Sequence, residues 1–488
     1  SKHILPIKTY VQALIGRMCL DAAGYQTRRG DIKRVNGKGE SMTFETKGKE
    51  NNGATYGRRS DWQDLYSIAK KYYEALLADP GNALFHLTDP RGASDKSGRT
   101  FNNPYQYFFE QMHMDDAIYA DESIYEYPMQ QGGGNDGRPY SFGRPSSGGS
   151  KAAYPCKSYG QGRINPAYFY GVFDPNDMRR DVSITMTGSN GKGVEKLIPF
   201  VPNSKAEGGG LTLNKWDENR QANPWVAAQR KSGINGPYMR MSEVYLGYAE
   251  VCAALGDVVT GKQYLKTVRE RSFPQGLANT DAFIASFGND LVRAIIEERG
   301  FEYAGEGDRR WTLIRSGYLP EDIKRIKDMT KAMMDGLATK GYYEFENGNI
   351  ISAYIWTKLV DAKTIYGHRL TAQCPTDKVN DPVLYPGWRG QKDNWEEMGL
   401  NYGSSTPATN LAIKGLFEIV SEEEAASLES QGYTKVNWGI DLVDNRDEYD
   451  KYLFWDYDYV SAPIYLWPFT PNVMAAGGFT NGYGFKQE

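Results

Sequence analysis

The chain has 488 residues and a formal net charge of −4, with 57 basic and 61 acidic side chains. This near balance leaves no electrostatic footprint for nucleic acid, and no apolar run reaches the roughly 18 residues that a membrane-spanning helix needs. At roughly 150 residues per domain, the length predicts two to four domains or subregions.

Two helices are predicted near the start of the chain. Apolar residues recur at helical spacing over residues 10–20, which end at Gly24 in the manner of a glycine cap, and over residues 62–77, which Asp61 caps. Residues 26–60, rich in Gly, Arg and Lys, separate the two helices as a polar insertion. The pattern indicates one helix-turn-helix unit that is split by an insertion.

Loops and short strands are predicted from residue 82 to about residue 235. Residues 123–129, SIYEYPM, are the clearest strand, and residues 130–150 follow it as a long loop rich in Gly, Ser and Arg. A loop of this length is either functional or disordered.

Helical order returns at residue 238. Residues 238–271 form two apolar stripes separated by a Gly-Asp turn, and their span of 34 residues equals one tetratricopeptide unit. Such units bury their apolar faces only by stacking on their neighbours. A third helix is predicted from about residue 289, a charged helix from 317 to about 337, and a loop-rich, aromatic remainder after it.

The common motifs of catalysis and metal binding do not occur in the sequence. The four histidines form no HxH or HExxH pattern, and there is no GxSxG elbow, P-loop or dinucleotide fingerprint. We therefore predict no metal and no cofactor. Cys19 and Cys252 fall on apolar helical faces, where a free buried thiol acts as a small hydrophobe. A disulfide between Cys156 and Cys374 stays open, because spacing alone does not decide pairing.

Residues 295–311, IIEERGFEYAGEGDRRW, crowd carboxylates and arginines together. Two carboxylates about 5–10 Å apart could hydrolyse a glycoside. Consecutive helical positions are rotated by about 100°, so Glu297 and Glu298 diverge, whereas Glu298 and Glu302 lie one turn apart on one face. Such a pattern more often builds an ion-paired helix wall.

Aromatic residues are unusually frequent for so polar a chain. There are 35 Tyr and 10 Trp, while 24% of the residues are charged. Many rings must therefore stay partly exposed, and exposed rings beside hydrogen-bonding groups suit flat, amphipathic ligands such as sugars. Tyr that merely lies on turns and sheet edges explains the composition equally well.

Three segments carry motifs that occur together in one known family. They are the helices at 238–272, the stretch at 295–313 and the C-terminal YLWPFTPNVMAAGGFTNGYGF. In order and spacing they resemble the SusD/RagB family. The matching residues in the first two segments are Arg240, Glu243, Leu246, Ala249, Glu250, Val268, Arg269, Arg271, Glu298, Arg299, Glu302, Glu306, Gly307, Arg310, Trp311 and Leu313.

The chain departs from the family pattern in three places. Thr312 stands where the family usually has Asp, and residues 468–471 replace its closing Pro-Ile-Pro. The helix at 10–20 resembles a central helix of the family. The chain is therefore expected to lack the family's N-terminal portion, with its signal peptide and lipid-bearing Cys.

The resemblance implies a mainly α fold, with a tetratricopeptide-like helical-repeat scaffold and a large loop-rich region that contains short strands. It divides the chain into a helical pair at 1–81, a ligand-side region at 82–235, further tetratricopeptide-like helices at 236–337 and a loop-rich region at 338–488.

The resemblance also implies a function without catalysis. Family members bind a glycan, or in some cases a peptide, and deliver it to a SusC-like TonB-dependent transporter. The expected location is the cell surface of the outer membrane, through a lipid anchor that is not in this chain. The alternatives are a glycoside-active enzyme with carboxylates in the loop-rich half, and a scaffold that binds a protein or peptide through its helical face.

Ligand-binding residues follow from the same resemblance. In the family, aromatic residues in the loop after the strand contribute to the site. Apart from the resemblance, Trp residues of this chain that lie in polar, Gly/Asn/Lys-rich contexts are secondary candidates. The residues so predicted are Arg138, Tyr140, Phe142, Tyr154, Trp216, Trp388 and Trp395. For each of them, structural packing is at least as good an explanation.

The stretch at 295–311 is interpreted as part of the scaffold. Glu298, Arg299, Glu302 and Arg310 are expected to form internal or interfacial ion pairs that anchor the helices. Trp311 is expected to be buried beside them.

Overall fold

The computed structural model describes residues 5–90, 103–113, 120–134, 137–146, 157–189, 195–201, 209–218, 225, 228–361, 409–453 and 459–485. Its helices are α1 (Lys8–Ala23), α2 (Trp62–Ala78), α3 (Pro104–Gln111), α4 (Gly137–Phe142), α5 (Arg179–Ser183), α6 (Met241–Ala254), α7 (Val258–Glu270), α8 (Thr280–Ala285), α9 (Leu291–Glu302), α10 (Asp308–Ser316), α11 (Leu319–Lys340), α12 (Glu422–Ser430), α13 (Gly439–Asp444), α14 (Arg446–Leu453) and α15 (Pro471–Gly477), with a π-helical turn at Tyr168–Val172.

The strands are short and pair in small sheets. They are β1 (Gln26–Arg29), β2 (Phe44–Asn51), β3 (Ala54–Arg59), β4 (Ser123–Tyr127), β5 (Ile184–Thr185), β6 (Thr187–Ser189), β7 (Glu195–Leu197), β8 (Thr212–Leu213), β9 (Gly236–Arg240), β10 (Tyr342–Glu344), β11 (Ile350–Ser352), β12 (Tyr354–Asp361), β13 (Thr409–Lys414) and β14 (Thr434–Asn437). Strand β4 confirms the clearest strand prediction.

Two helix pairs form the scaffold. Helix α1 packs against α2, α6 packs against α7, and α2 also packs against α6. One hydrophobic cluster joins α1, α2 and α6 around Tyr73 and Val244, and a second joins α6, α7 and α9 around Leu246 and Leu265. Each pair buries its apolar face against the next, which is the packing of helical repeats. The predicted mainly α, tetratricopeptide-like class is confirmed.

The ends of the first two helices differ from the prediction in detail. Gly24 does not act as a left-handed cap, because its φ is −77° and the helix ends as the backbone becomes extended. Asp61 precedes α2 but its side chain does not cap it. The carboxylate of Asp61 instead binds Arg59, with 2.6 Å between Oδ2 and Nη2.

The polar insertion between α1 and α2 is a three-stranded antiparallel sheet in the order β1-β3-β2. No strand was predicted here, because the six central residues of β2 are all exposed and carry no apolar alternation. In β3, the buried Tyr56 donates its hydroxyl to the backbone oxygen of Ile314. A β-bridge also joins Lys49 to Ser461. The sheet therefore ties the first helix pair to α10 and to the C-terminal segment.

A separate hydrophobic core lies in the strand-rich half. It gathers the π-helical turn, residues of α11 and strands β11–β13 around Trp438, whose indole N–H donates to the Tyr170 hydroxyl at 2.8 Å. Strand β12 lies between β13 and β14. The cluster draws residues from three of the four predicted segments, whose boundaries stay a prediction.

Two further predictions concern thiols and membrane spans. Cys19 and Cys252 are free and buried, as expected for small hydrophobes. Cys156 and Cys374 lie outside the described residues. None of the described helices combines the length and apolar character that crossing a membrane requires.

Candidate functional site

Helix α9 carries a buried network of ion pairs. Its N-terminus is capped by Asp290, whose carboxylate accepts a hydrogen bond from the Arg293 backbone N–H at 2.9 Å. Further along the helix, Glu297, Glu298 and Glu302 are each no more than 1% exposed. Because a buried carboxylate is unfavourable without compensating cations, these side chains require arginines from other parts of the fold.

Glu298 and Glu302 share one face of α9, as their spacing indicates. One guanidinium bridges them, because Arg179 Nη1 lies 2.7 Å from Glu298 Oε1 and 3.0 Å from Glu302 Oε2. Glu302 Oε1 also accepts from Arg240 Nη1 at 2.5 Å and from Arg271 Nη2 at 2.8 Å. Arginines at α5, at the end of β9 and just after α7 therefore converge on one carboxylate.

Glu297 points elsewhere, as the rotation between consecutive helical positions requires. Its two oxygens lie 2.8 Å from Arg309 Nη2 and 2.8 Å from Arg325 Nη2. Asp322 binds the same two arginines. The adjacent glutamates thus belong to different ion-pair clusters, which hold α10 and α11 on one side of α9 and α5 on the other.

The buried carboxylates make the free energy of unfolding depend on pH. Burial alone would raise the pKa of Glu302, but Arg240, Arg271 and Arg179 outweigh it and hold that pKa well below its ordinary value of 4.5. The same balance holds at Asp322. Burial would raise its pKa, but the surrounding arginines outweigh that effect and lower the pKa from 3.8 to about 2.

We expect the melting temperature to be nearly constant from about pH 7 to 5 and to fall steeply between about pH 4.5 and 2. Carboxyls with a lowered folded pKa contribute stability that is complete above the unfolded pKa and is lost as the pH falls through the folded one. Scanning calorimetry across this range measures the effect. A melting temperature that holds steady down to pH 2 would contradict this linkage.

A pocket of about 350 Å³ lies beside the network. Its walls come from the C-terminal end of α1, the ends of β4 and β9, the first turn of α6, and the turn between α9 and α10. Gly307, with a φ of 90°, makes this turn possible, since only glycine adopts that conformation readily. The pocket therefore joins segments that are far apart in the sequence.

Aromatic rings line part of the pocket. Tyr127 and Tyr238 have ring centroids 5.0 Å apart, and Tyr125 packs behind them, 5.7 Å from Tyr238. Tyr127 is 45% exposed and Trp311 is 55% exposed. Half-exposed rings of this kind offer flat apolar surface next to hydrogen-bonding groups.

Ion-paired side chains supply the polar part of the wall. Arg17 binds Glu243 through two N–H···O contacts, of which the one between Nε and Oε1 is 2.5 Å long. Arg299 binds Asp308, and the Thr312 hydroxyl donates to the same carboxylate at 2.9 Å. The pairs fix the positions of both hydrogen-bond donors and acceptors at the pocket.

Arg138 is the predicted ligand residue that lines this pocket. Its guanidinium carbon lies 5.9 Å from the centroid of the Tyr127 ring. It also rests against Gly236, where an added Cβ would meet Arg138 Nη1 at 1.4 Å. The glycine in β9 therefore leaves the room that the arginine occupies.

The other predicted ligand residues lie elsewhere. Tyr140 and Trp216 are buried, Phe142 is 45% exposed, and none of the three lines the pocket. Their contribution to ligand binding stays a prediction. The remaining candidates, Tyr154, Trp388 and Trp395, lie outside the described residues.

The expectations for Arg310 and Trp311 were wrong. Arg310 is exposed and donates to the backbone oxygen of Tyr465 at 2.5 Å. Within the described part of the chain, no carboxylate lies within ion-pair distance of it. Because α10 turns Leu313 and Ile314 toward the interior, Trp311 lies on its outer face.

Charge reversal in Arg310→Glu should therefore change the free energy of unfolding by less than about 1 kcal/mol, since the side chain is exposed and has no buried anion to leave unpaired. Urea denaturation measures the difference. A loss of several kcal/mol would show that Arg310 anchors the helices after all.

Comparison with known proteins identifies the family. The model of the SusD family matches residues 85–468. The chain belongs to the SusD family. Among curated proteins, SusD-like protein P25 of Formosa agariphila is 28% identical over 160 residues, which cover 33% of this chain and 26% of that protein.

Solved structures are similar to this chain at lower identity. A SusD homolog from Bacteroides thetaiotaomicron is 17% identical, with a TM-score of 0.43, over 67% of this chain and 56% of that one. Surface glycan-binding protein A from the same species, in complex with laminarihexaose, is 19% identical, with a TM-score of 0.35, over 54% and 52%. The chain spans about half the length of these structures and about a quarter of the curated relative.

Several pocket residues were not predicted as ligand residues. They are Arg17, Tyr127, Tyr238, Glu243, Asp308 and Trp311. Asp308 and Trp311 belong to the stretch at 295–313 that we interpreted as part of the scaffold. The sequence signal for a ligand role there was an aromatic residue next to a glycine-rich acidic turn. For the others the sequence held no signal, because only the fold brings α1, β4 and β9 together.

Proposed function

We propose that this SusD-family protein binds a glycan at the cell surface and delivers it, chemically unchanged, to a SusC-like TonB-dependent transporter. The observation that carries the proposal is the pocket itself, in which exposed aromatic rings and ion-paired polar groups line one concave surface. Clefts that combine apolar surface with a few fixed polar groups are the usual form of small-ligand sites.

The pocket suits a sugar for a physical reason. Tyr127 and Trp311 offer flat faces to the apolar face of a pyranose, while Arg17 and Glu243 offer a donor and an acceptor to its hydroxyls. Binding of this kind needs positioned groups and no proton transfer.

The carboxylates at the pocket define what the enzyme alternative would require. A glycosidase requires a general acid with a raised pKa and a second carboxylate as base or nucleophile. At the pocket, Asp308 is held as an anion, because Arg299 outweighs the effect of burial and lowers its pKa. Partial desolvation at the pocket wall raises the pKa of Asp21, whose side chain is 56% exposed, so the enzyme alternative would rely on Asp21 as the acid.

Membership in the family supports the proposed transporter partner and location. A scaffold of stacked helix pairs is rigid enough to serve as a docking body for a membrane partner. The proposed location is the outer membrane at the cell surface, with attachment through a lipid anchor. Co-purification with a SusC-like transporter tests the partnership.

Titration calorimetry against a panel of oligosaccharides and peptides tests the binding function, together with an assay for new reducing ends after prolonged incubation. We expect heat of binding with a glycan and no new reducing ends. Turnover that Asp21→Asn removes while binding persists would establish the enzyme instead. Binding of peptides alone would assign the chain to the peptide-binding members of the family.

A further inference from the structure

Gly236 lies at a position of β9 where the backbone does not require glycine. Its φ is not positive, unlike that of Gly307 in the turn before α10. An alanine would therefore fit the backbone conformation without strain. A glycine that is paired within a sheet often marks a place where another group approaches the strand closely.

The group that approaches Gly236 is the guanidinium of Arg138, which comes from α4. A Cβ added at position 236 would overlap Nη1 and Cζ of Arg138 and would lie 2.7 Å from its Nη2. These atoms are the far end of a long, flexible side chain. A side chain at position 236 would therefore displace the arginine, while the backbone of β9 could stay where it is.

The strand register places Arg138 beside an aromatic ring of the pocket. Gly236 pairs directly with Tyr127 of β4, and residues directly opposite each other in an antiparallel pair carry their side chains on the same face. Arg138 thus takes the place that a side chain at position 236 would have next to Tyr127. Its guanidinium carbon lies 5.9 Å from the centroid of the Tyr127 ring and 5.8 Å from that of the buried Trp216 ring, both within cation–π distance.

We propose that Gly236 is a positioning residue for ligand binding, because it admits the guanidinium of Arg138 to the pocket wall, where the guanidinium donates to hydroxyl oxygens of a sugar that packs on Tyr127. This inference rests on the proposed glycan-binding function. The N–H donors of a guanidinium lie in one fixed plane, so its placement decides which hydroxyls it reaches. Gly236, which has no side chain to contact the ligand, acts through Arg138.

The variant Gly236→Ala tests the positioning role. Oligosaccharides of β-1,3-glucan, β-1,4-glucan, β-1,4-mannan and β-1,4-galactan are titrated into the full chain, and the probe that binds the wild type most tightly is used for the variants. We expect Gly236→Ala to bind this probe about tenfold more weakly, on the scale of hydrogen bonds from a charged donor. Its melting temperature should match that of the wild type, since only the end of a flexible side chain has to move.

Gly37→Ala is the matched control. Gly37 lies in the polar insertion, outside the pocket lining, and a Cβ added there would meet nothing within 4 Å. Its φ is not positive either, so the alanine is again unstrained. This control should bind the probe as the wild type does. A Gly236→Ala protein that also binds like the wild type would overturn the inference.

A double-mutant cycle separates positioning from a merely structural effect. Arg138→Met keeps a long side chain between the two rings but removes the donors, so it should weaken binding about as much as Gly236→Ala does. In the double variant, alanine at position 236 has no donor left to misplace, and we expect binding no weaker than in Arg138→Met alone.

The inference and the proposed function fail separately. Losses of affinity that add in the double variant would show that Gly236 acts independently of Arg138, which overturns the inference and leaves glycan binding intact. A wild-type protein that binds none of the oligosaccharides would overturn the proposed function, and the inference with it.

Discussion

Replacing Glu302 with Ala should lower the free energy of unfolding by about 3–5 kcal/mol, the usual effect of leaving buried charges without their partner. Glu302 is fully buried, and its carboxylate binds Arg179, Arg240 and Arg271. In the variant these three guanidinium groups stay buried but share one anion fewer. Chemical denaturation followed by circular dichroism measures the loss.

Asp79→Ala is the matched control. It also removes one ion-paired carboxylate, but the Asp79–Lys8 pair is exposed, at 66% and 68% for the two side chains. Exposed pairs contribute little, so the control should unfold with the wild type. If Glu302→Ala were as stable as this control, the converging arginines would not be what joins α5, β9 and α7 to α9.

Replacing Trp311 with Ala should weaken glycan binding about tenfold, which corresponds to about 1.4 kcal/mol and is the scale of one stacked ring. Trp311 is 55% exposed and lines the pocket, so its removal takes away contact surface without opening the core. Titration calorimetry with an oligosaccharide that the wild type binds measures the loss, and an unchanged unfolding curve shows that the fold is intact.

Phe142→Ala is the control for this experiment. Phe142 is 45% exposed, lies outside the pocket lining and was predicted as a ligand residue from the family resemblance. We expect the Phe142 variant to bind normally. If it lost affinity while the Trp311 variant kept it, the ligand would bind near α4, as the resemblance suggested.

Helical periodicity was enough to find the scaffold. The apolar stripes before and after the Gly-Asp turn at 256–257 lie in α6 and α7, and both pack as expected on neighbouring helices. The sheet formed by β1, β2 and β3 was not predicted, because β2 is exposed and carries no apolar alternation. Exposed strands are held by backbone pairing, which leaves no trace in a pattern of side chains.

Helical geometry also separated Glu297 from Glu298 correctly, but it did not identify the arginines that bind them. Arg179, which bridges Glu298 and Glu302, is more than a hundred residues away in the sequence. The pocket could not be predicted for the same reason, since Arg17, Tyr127 and Asp308 come together only in the folded chain. A single sequence shows which side chains are unusual, whereas tertiary packing decides which of them meet.

A crystal structure of the protein with a bound oligosaccharide tests the central proposal most directly. We expect a sugar ring against Tyr127 or Trp311, with hydroxyl contacts to the Arg17–Glu243 pair and an intact glycosidic bond. A sugar bound elsewhere on the molecule, with this pocket unoccupied at saturating ligand, would contradict the assignment of the site.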